Sequence, residues 1–351
     1  MIIGVTGYGA TGASAYIDLI KEFEEIQSFG AAVEFQVIQE TDGISDLKYH
    51  LVTNGHRLRT NAAITRYIRN LDNPRVSNIV KYSNKKYKKL ALEYINELIQ
   101  LSWVGRSSFD PIDFRPRIDR LATRKIIRLV NGVLNRINGK WGIPPFKRRY
   151  LAFLTEEEFE ECTKRFLNRL FESCGFDLCK PILVEQIFNT KNPLEGTEYF
   201  GDFRSIVVER DPRDVFVLSN YILRRHCRFM PHDGNVENFV QYYKLSHAGR
   251  VENPYVKYFQ YEDLIFNYNE VCDQMEKWLG IRHIHKKEFF VPEHSFSNTQ
   301  VYLSYPELSD KIKYIEENLS EYLYPFDSMK SNLTFEAVKG KPFGFEGKKN
   351  K

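Results

Sequence analysis

The stretch that decides the fold opens the chain: Ile2-Ile3-Gly4-Val5-Thr6-Gly7-Tyr8-Gly9-Ala10-Thr11-Gly12-Ala13-Ser14. Residues 2 to 6 carry no charge and predict a short buried strand. Glycines at 7, 9 and 12 then predict a tight loop, and Ala15, Ile17, Leu19, Ile20 and Phe23 recur at helical spacing. A second strand is expected over Val33 to Gln39, where Val33, Phe35 and Val37 alternate with Glu34 and Gln36. Strand, glycine loop, helix and strand make a β-α-β start, which predicts an α/β protein with a parallel sheet flanked by helices.

Working outward, the strand signal fades from about residue 60 to 175, and amphipathic stretches such as Leu90 to Trp103 predict a large helical insertion. Strands return at Ile182 to Ile187, Ser205 to Glu209 and Val256 to Gln260. The expected division is an α/β core of residues 1–55 and 176–330, a helical insertion of 56–175, and a basic tail of 331–351 expected to be mobile. With 42% hydrophobic and 14% aromatic residues in 351, the chain is too apolar to stay disordered. Fifty Lys+Arg against 46 Asp+Glu leave only +4, so net charge gives no case for nucleic acid. Five cysteines without a C-x-x-C pair suit a reducing compartment and free thiols. Eight histidines form no ligand pattern, so no metal is expected. No apolar run approaches the roughly 20 residues of a membrane span. The N-terminus shows no charged leader or apolar core. A cytoplasmic protein is the expectation.

Two segments carry candidate chemistry. Gly7 to Ser14 has the glycine spacing of G-x-x-x-x-G-K-[ST], with Ala13 in the lysine position. Main-chain N–H groups and a helix N-terminus still attract phosphate oxygens. A kinase or nucleotide hydrolase is disfavoured, because its lysine works on the β/γ-phosphates. The alternative is a turn that binds nothing. In Ser205-Ile-Val-Val-Glu-Arg-Asp-Pro-Arg-Asp-Val-Phe-Val-Leu-Ser219, a strand ends at Arg210, and Asp211-Pro212 starts a helix. Arg210 is placed to grip an anion. The competing reading is a helix-start ion pair of Arg210 or Arg213 with Asp214.

Ile206 to Val217 resembles the 3′-phosphate-binding segment of sulfotransferases, where a strand-terminal R-[DN]-P-x-D run opens a helix. Lys257-Tyr-Phe-Gln-Tyr-Glu-Asp-Leu264, followed by Val271 to Leu279 and Gly280, resembles that family's strand-Y-E-D-L-helix segment with its F-L-G ending. The glycine loop then falls where the family carries its 5′-phosphosulfate loop. The resemblance covers the first 40 or so residues and roughly 180 to 325. It implies a P-loop-like fold that binds 3′-phosphoadenosine 5′-phosphosulfate (PAPS) and moves the sulfuryl group to a hydroxyl or amine acceptor, without a metal. It also implies that Gly7, Gly9, Ala10, Thr11, Gly12, Ala13 and Ser14 hold the 5′-phosphosulfate. Arg210 and Ser219 would hold the 3′-phosphate.

Two departures stand out. The family's loop reads [KR]-S-G-T-[TS], so aligning on Gly12 puts Ala10, not a cation, at its first position. Lys191, Arg57, Arg59 and the group Arg224, Arg225 and Arg228 are candidate substitutes, Lys191 first. The family's serine falls at Leu218 here, and Ser219 comes one residue late, about 100° around a helix. A base is expected on the strand before Arg210, where Glu185 ends Pro181-Ile-Leu-Val-Glu185. Partial desolvation there would raise its pKa into a useful range. A structural ion pair is its alternative role, and His50 and His56 are reserve bases.

Eleven Lys/Arg against one acidic residue between Arg115 and Arg149 make a local basic face. Its ordinary reading is a solvated surface, and its functional readings are an anionic acceptor or a membrane surface holding a lipid-linked glycan. The expectation is a sulfotransferase acting on a small-molecule or glycan acceptor, possible peripheral contact with a membrane, and no nucleic acid partner. Its rivals are a P-loop kinase or hydrolase and a non-catalytic relative that binds nucleotide or glycan.

Overall fold

The computed structural model describes residues 1–29, 33–72, 82–83, 85–105, 147–223, 227 and 230–326, together with positions 125, 126, 129, 132 and 133. Its strands in chain order are β1 (Ile2–Gly7), β2 (Gln27–Ser28), β3 (Leu101–Gly105), β4 (Lys147–Leu151), β5 (Ile182–Glu185), β6 (Phe203–Glu209) and β7 (Val256–Gln260). Packing divides the chain into one unit of Met1–Gln36 with Phe176–Lys351 and another of Val37–Gly175.

The first unit is an α/β layer structure. Its sheet has the order β2-β5-β1-β6-β7, and every pairing in it is parallel. β1 is central, with Val5 in register with Glu185 on one side and Ile206 on the other. The period-2 alternation of strands sends Ile3, Val5, Leu183, Ile206, Val208 and Phe259 to one core. Helices Ala13–Ile20, Tyr261–Phe266 and Tyr268–Leu279 cover it with Tyr16, Leu19, Leu264 and Met275, all fully buried. Each such aliphatic side chain contributes about 1.5–3 kcal/mol by burial. Gly4 falls on the other face by the same alternation, and a side chain there would meet the Phe188 ring, 2.3 Å from a Cβ. A second core joins helices Pro212–Val217, Val236–His247 and Ser309–Asn318 through Phe216, Phe239, Tyr243 and Ile315.

The expected strand over Val33 to Gln39 does not form. Val33, Phe35 and Val37 are buried and Glu34 and Gln36 exposed, as the alternation requires. Only Glu34 bridges to Glu185, with the Phe35 N–H on the Glu185 carbonyl at 2.8 Å. The reason is the shortness of β5: β2 already pairs with Ile182 and Leu183, and Gln186 leaves the sheet in the left-handed region with φ of 58°.

The second unit contains helices Arg57–Asn70, Tyr87–Leu98 and Glu156–Ser173. Tyr94 stacks on Phe166 with centroids 4.7 Å apart and meets Thr163 Oγ1 at 3.0 Å. A capping box of Thr155 and Glu158 starts the long helix. The helix expected to reach Trp103 ends at Leu98, because Leu101–Gly105 pairs antiparallel with Lys147–Leu151. That partner lies more than 40 residues away, beyond the reach of a periodicity reading. Lys125, Arg148 and Arg149 are the basic-face residues whose side chains are described, Arg149 being buried; the others lie outside the described side chains, as do residues 327–351 of the tail. Among the described residues no helix is long and apolar enough to cross a membrane, and no group of three or more His, Cys, Asp or Glu could hold a metal.

Candidate functional site

The chain leaves β1 toward β2, on the β5 side, and leaves β6 toward β7, on the opposite side. Such a reversal opens a crevice at the carboxyl ends of the two adjacent strands, where open α/β sheets bind ligands. The loop after Gly7 and the residue after Glu209 lie at those ends. A cleft of about 1260 Å³ opens there, lined by all of residues 7–15, Glu185, Lys191 and Arg210.

The loop owes its shape to backbone that few residues adopt. Gly9, Ala10 and Gly12 have φ of 93°, 56° and 85°. A Cβ on Gly12 would stand 2.3 Å from the Tyr261 ring as well. Gly12 also leaves helix Ala13–Ile20 without a side-chain cap, and the first turn holds no acidic residue. The Ala15 N–H donates to the Gly12 carbonyl at 3.0 Å, and the N–H groups ahead of it, without a side-chain cap, suit an anion. Thr11 is 1% exposed, and its hydroxyl, packed beside Gly7, has no hydrogen-bond partner among the described residues.

Arg210 is 1% exposed and deeply engaged. Its Nη1 donates to the Ala10 carbonyl at 3.2 Å, its Nη2 donates to the Asn298 carbonyl, and its guanidinium lies 4.5 Å from the centre of the Tyr261 ring. Asp214 is 3.8 Å away, so the ion-pair reading and a place in the cleft hold together. Among the described residues its Nε has no hydrogen-bond partner. Arg213 pairs instead with Asp211, donating Nε at 2.9 Å and Nη2 at 2.7 Å. The Asp211 N–H in turn donates to Glu262 at 3.0 Å, which ties the Arg-Asp-Pro and Tyr-Glu-Asp segments together. Burial pushes the Asp214 and Glu262 carboxyls up to about 7 and about 8, against the pull of Arg210.

Glu185 ends β5 on the cleft wall. Burial, then the neighbouring Glu34 carboxylate, raises its pKa, and among the described residues no group donates a hydrogen bond to its side chain. Lys191 lines the same cleft and donates its ammonium to the Ala248 carbonyl at the end of helix Val236–His247. Asp18, Glu34 and Glu288 line it too, with Asp18 tied to Lys21 at 2.7 Å.

Ser219 must be corrected: it is fully buried off the cleft lining, donating to the Phe216 carbonyl at 3.2 Å and accepting from Asn220 at 3.0 Å. It falls in a π-helical turn, Leu218–Ile222, whose register the spacing argument did not foresee. His56 belongs to the other unit, where its Nδ1 accepts the Leu58 N–H at 3.3 Å as a helix cap. His50, Arg57 and Arg59 are in that unit as well. Arg224, Arg225 and Arg228 lie outside the described residues.

Two features escaped the sequence reading. Tyr8, on the cleft wall, stacks on His247 at 3.8 Å, and His247 stacks on Tyr243 at 3.8 Å, with burial lowering the imidazole pKa to about 4. The other is Glu22, fully buried, whose carboxylate accepts from Phe289 N–H, Phe290 N–H, Lys287 N–H, Tyr268 hydroxyl and His283 Nε2 at 2.7–3.1 Å. Although burial opposes ionisation, these donors hold its pKa below the usual range. Glu22 thereby fixes the segment whose residues 288–291 line the cleft. An acidic residue on a predicted helix gives no sequence sign of this role.

No protein-family model matches the chain, and no curated protein matches it.

Proposed function

We propose that the protein is a sulfotransferase of P-loop-like fold that uses PAPS as donor and a hydroxyl compound as acceptor. The observation that carries this reading is the convergence of the capless glycine loop, Arg210, Glu185 and Lys191 on one cleft at the β1/β6 reversal. The residues present fit the donor: the helix N-terminus without a side-chain cap and the positive charge of Arg210 on the cleft lining both favour anionic oxygens. The donor supplies a sulfur electrophile and a phosphate leaving group.

Glu185 takes the proton of the acceptor hydroxyl as its oxygen bonds to sulfur, and the bond from sulfur to the 5′-phosphate oxygen breaks with its electron pair on that oxygen. Lys191, released from Ala248, offers the positive charge that the loop lacks at Ala10. Positive charge brought to the oxygen where negative charge develops stabilises the transition state of such a transfer, less the cost of breaking the Lys191–Ala248 hydrogen bond. The test is to incubate the full chain with PAPS and a panel of alcohols, phenols and saccharides and to follow release of adenosine 3′,5′-bisphosphate. Acceptor-dependent release is expected. Turnover of ATP–Mg²⁺ with no release from PAPS would overturn the reading in favour of a kinase or hydrolase.

A further inference from the structure

Helix Val236–His247 buries Phe239, Val240, Tyr243 and His247. Its opposite stripe, Asn238, Gln241, Tyr242 and Leu245, follows the i, i+3, i+4, i+7 spacing of one helix face. With Pro231, His232 and Asp233 that stripe walls a groove of about 450 Å³. Tyr242 and Leu245 also line the large cleft, so groove and cleft meet along one helix.

The lining chemistry narrows the occupant. Asn238 and Gln241 present carboxamides without side-chain partners among the described residues. A carboxamide offers a donor and an acceptor in one plane, which suits neighbouring hydroxyls. Tyr242 adds a flat apolar ring with a polar end at the junction. Asp233 supplies a further acceptor beside the His232 ring, whose Nδ1 meets the Met230 carbonyl at 3.1 Å, and the described lining contains no lysine or arginine. A ring surface beside a few polar groups that fix orientation is what a polar, ring-shaped ligand requires.

We propose that this groove is the acceptor subsite and takes a neutral oligosaccharide. Tyr242 lies under the sugar nearest the cleft, and Asn238 and Gln241 hold the hydroxyls of the next one. Its link to sulfuryl transfer rests on the donor reading above; saccharide binding does not.

The test is an array of neutral, sialylated and sulfated oligosaccharides probed with the full chain, followed by titration of the best neutral glycan. Neutral glycans should bind in preference to the anionic ones. The exposed double variant Asn238→Ala/Gln241→Ala should weaken that binding about tenfold through two lost hydrogen bonds, and Tyr242→Ala should weaken it at least as much. Adenosine 3′,5′-bisphosphate affinity should be unchanged in the double variant. No binding of neutral glycans, or wild-type glycan affinity in the double variant, overturns the subsite even where the nucleotide binds. Glycan binding that depends on Asn238 and Gln241, without nucleotide binding by the native chain, supports the subsite and removes the donor reading alone.

Discussion

The carboxyl of Glu185 sits half-buried beside Glu34, and both effects favour its protonated form. A general base works only when deprotonated, so kcat/KM should rise with pH through this raised pKa and level off above it. Glu185→Gln should remove that limb and lower turnover about 10²- to 10⁴-fold, with bisphosphate affinity nearly unchanged. Steady-state rates from pH 5 to 9 check this, and near-normal turnover in the variant would place the base elsewhere. Glu185 was legible because a carboxylate closing an apolar strand stands out in sequence. The condition of Arg210 was not. Its charge shows in the sequence, but the carbonyls that hold it come from Ala10 and Asn298, 200 and 88 residues away. Ser219 was misread for the same reason: a hydroxyl's direction depends on helix register, which the π-turn at Leu218–Ile222 changes.

At the level of elements, the glycine loop is the most constrained piece of the site. Gly12→Ala would place a Cβ at φ of 85° and within 2.3 Å of the Tyr261 ring. The conformation alone costs about 1–2 kcal/mol, and the Tyr261 ring, 4.5 Å from the Arg210 guanidinium, would have to shift as well. Thermal unfolding should show a destabilisation of at least that size, together with weaker bisphosphate binding. Unchanged values for both would mean that the loop geometry does not matter to the site. The loop, β1 and the helix after it were legible because glycine spacing and apolar period change within a dozen residues. The strand expected at Val33 to Gln39 was not built, since correct alternation cannot reveal whether a partner edge remains. β3 and β4 escaped because their pairing joins distant short segments.

Over the molecule as a whole, buried charge sets the response to pH. Asp214 and Glu262 titrate near 7 and 8 when folded, against 3.8 and 4.5 ordinarily, so the folded chain holds protons that the unfolded chain has released. Their contribution is full below pH 4 and is lost as pH rises through 7 to 8. On the acid side, Glu22 is lowered below 4.5, so its contribution is present above that value and lost as pH falls through the folded pKa. His247, lowered from 6.5 to about 4, is neutral when folded, and stability falls as the unfolded imidazole charges below 6.5. Between about pH 4.5 and 6.5 the two carboxyls outweigh the one imidazole, so Tm should be highest at about pH 4 to 5, fall as pH rises to 8 and level off above it. Glu262→Gln keeps an acceptor for the Asp211 N–H and removes one titration. Its Tm should fall less between pH 6 and 9 than that of the unmodified chain, and parallel curves would show that Glu262 ionises freely in the fold.

The central claim is that the β1/β6 crevice receives a nucleotide carrying a 3′-phosphate, with Arg210 as its anchor. Calorimetric titration of the full chain with adenosine 3′,5′-bisphosphate and with AMP tests this most directly. A charge-assisted contact of about 1.5–3 kcal/mol predicts a preference of roughly tenfold to a hundredfold for the bisphosphate. Arg210→Ala should lose that preference. Equal affinity of the unmodified protein for the two nucleotides would contradict it.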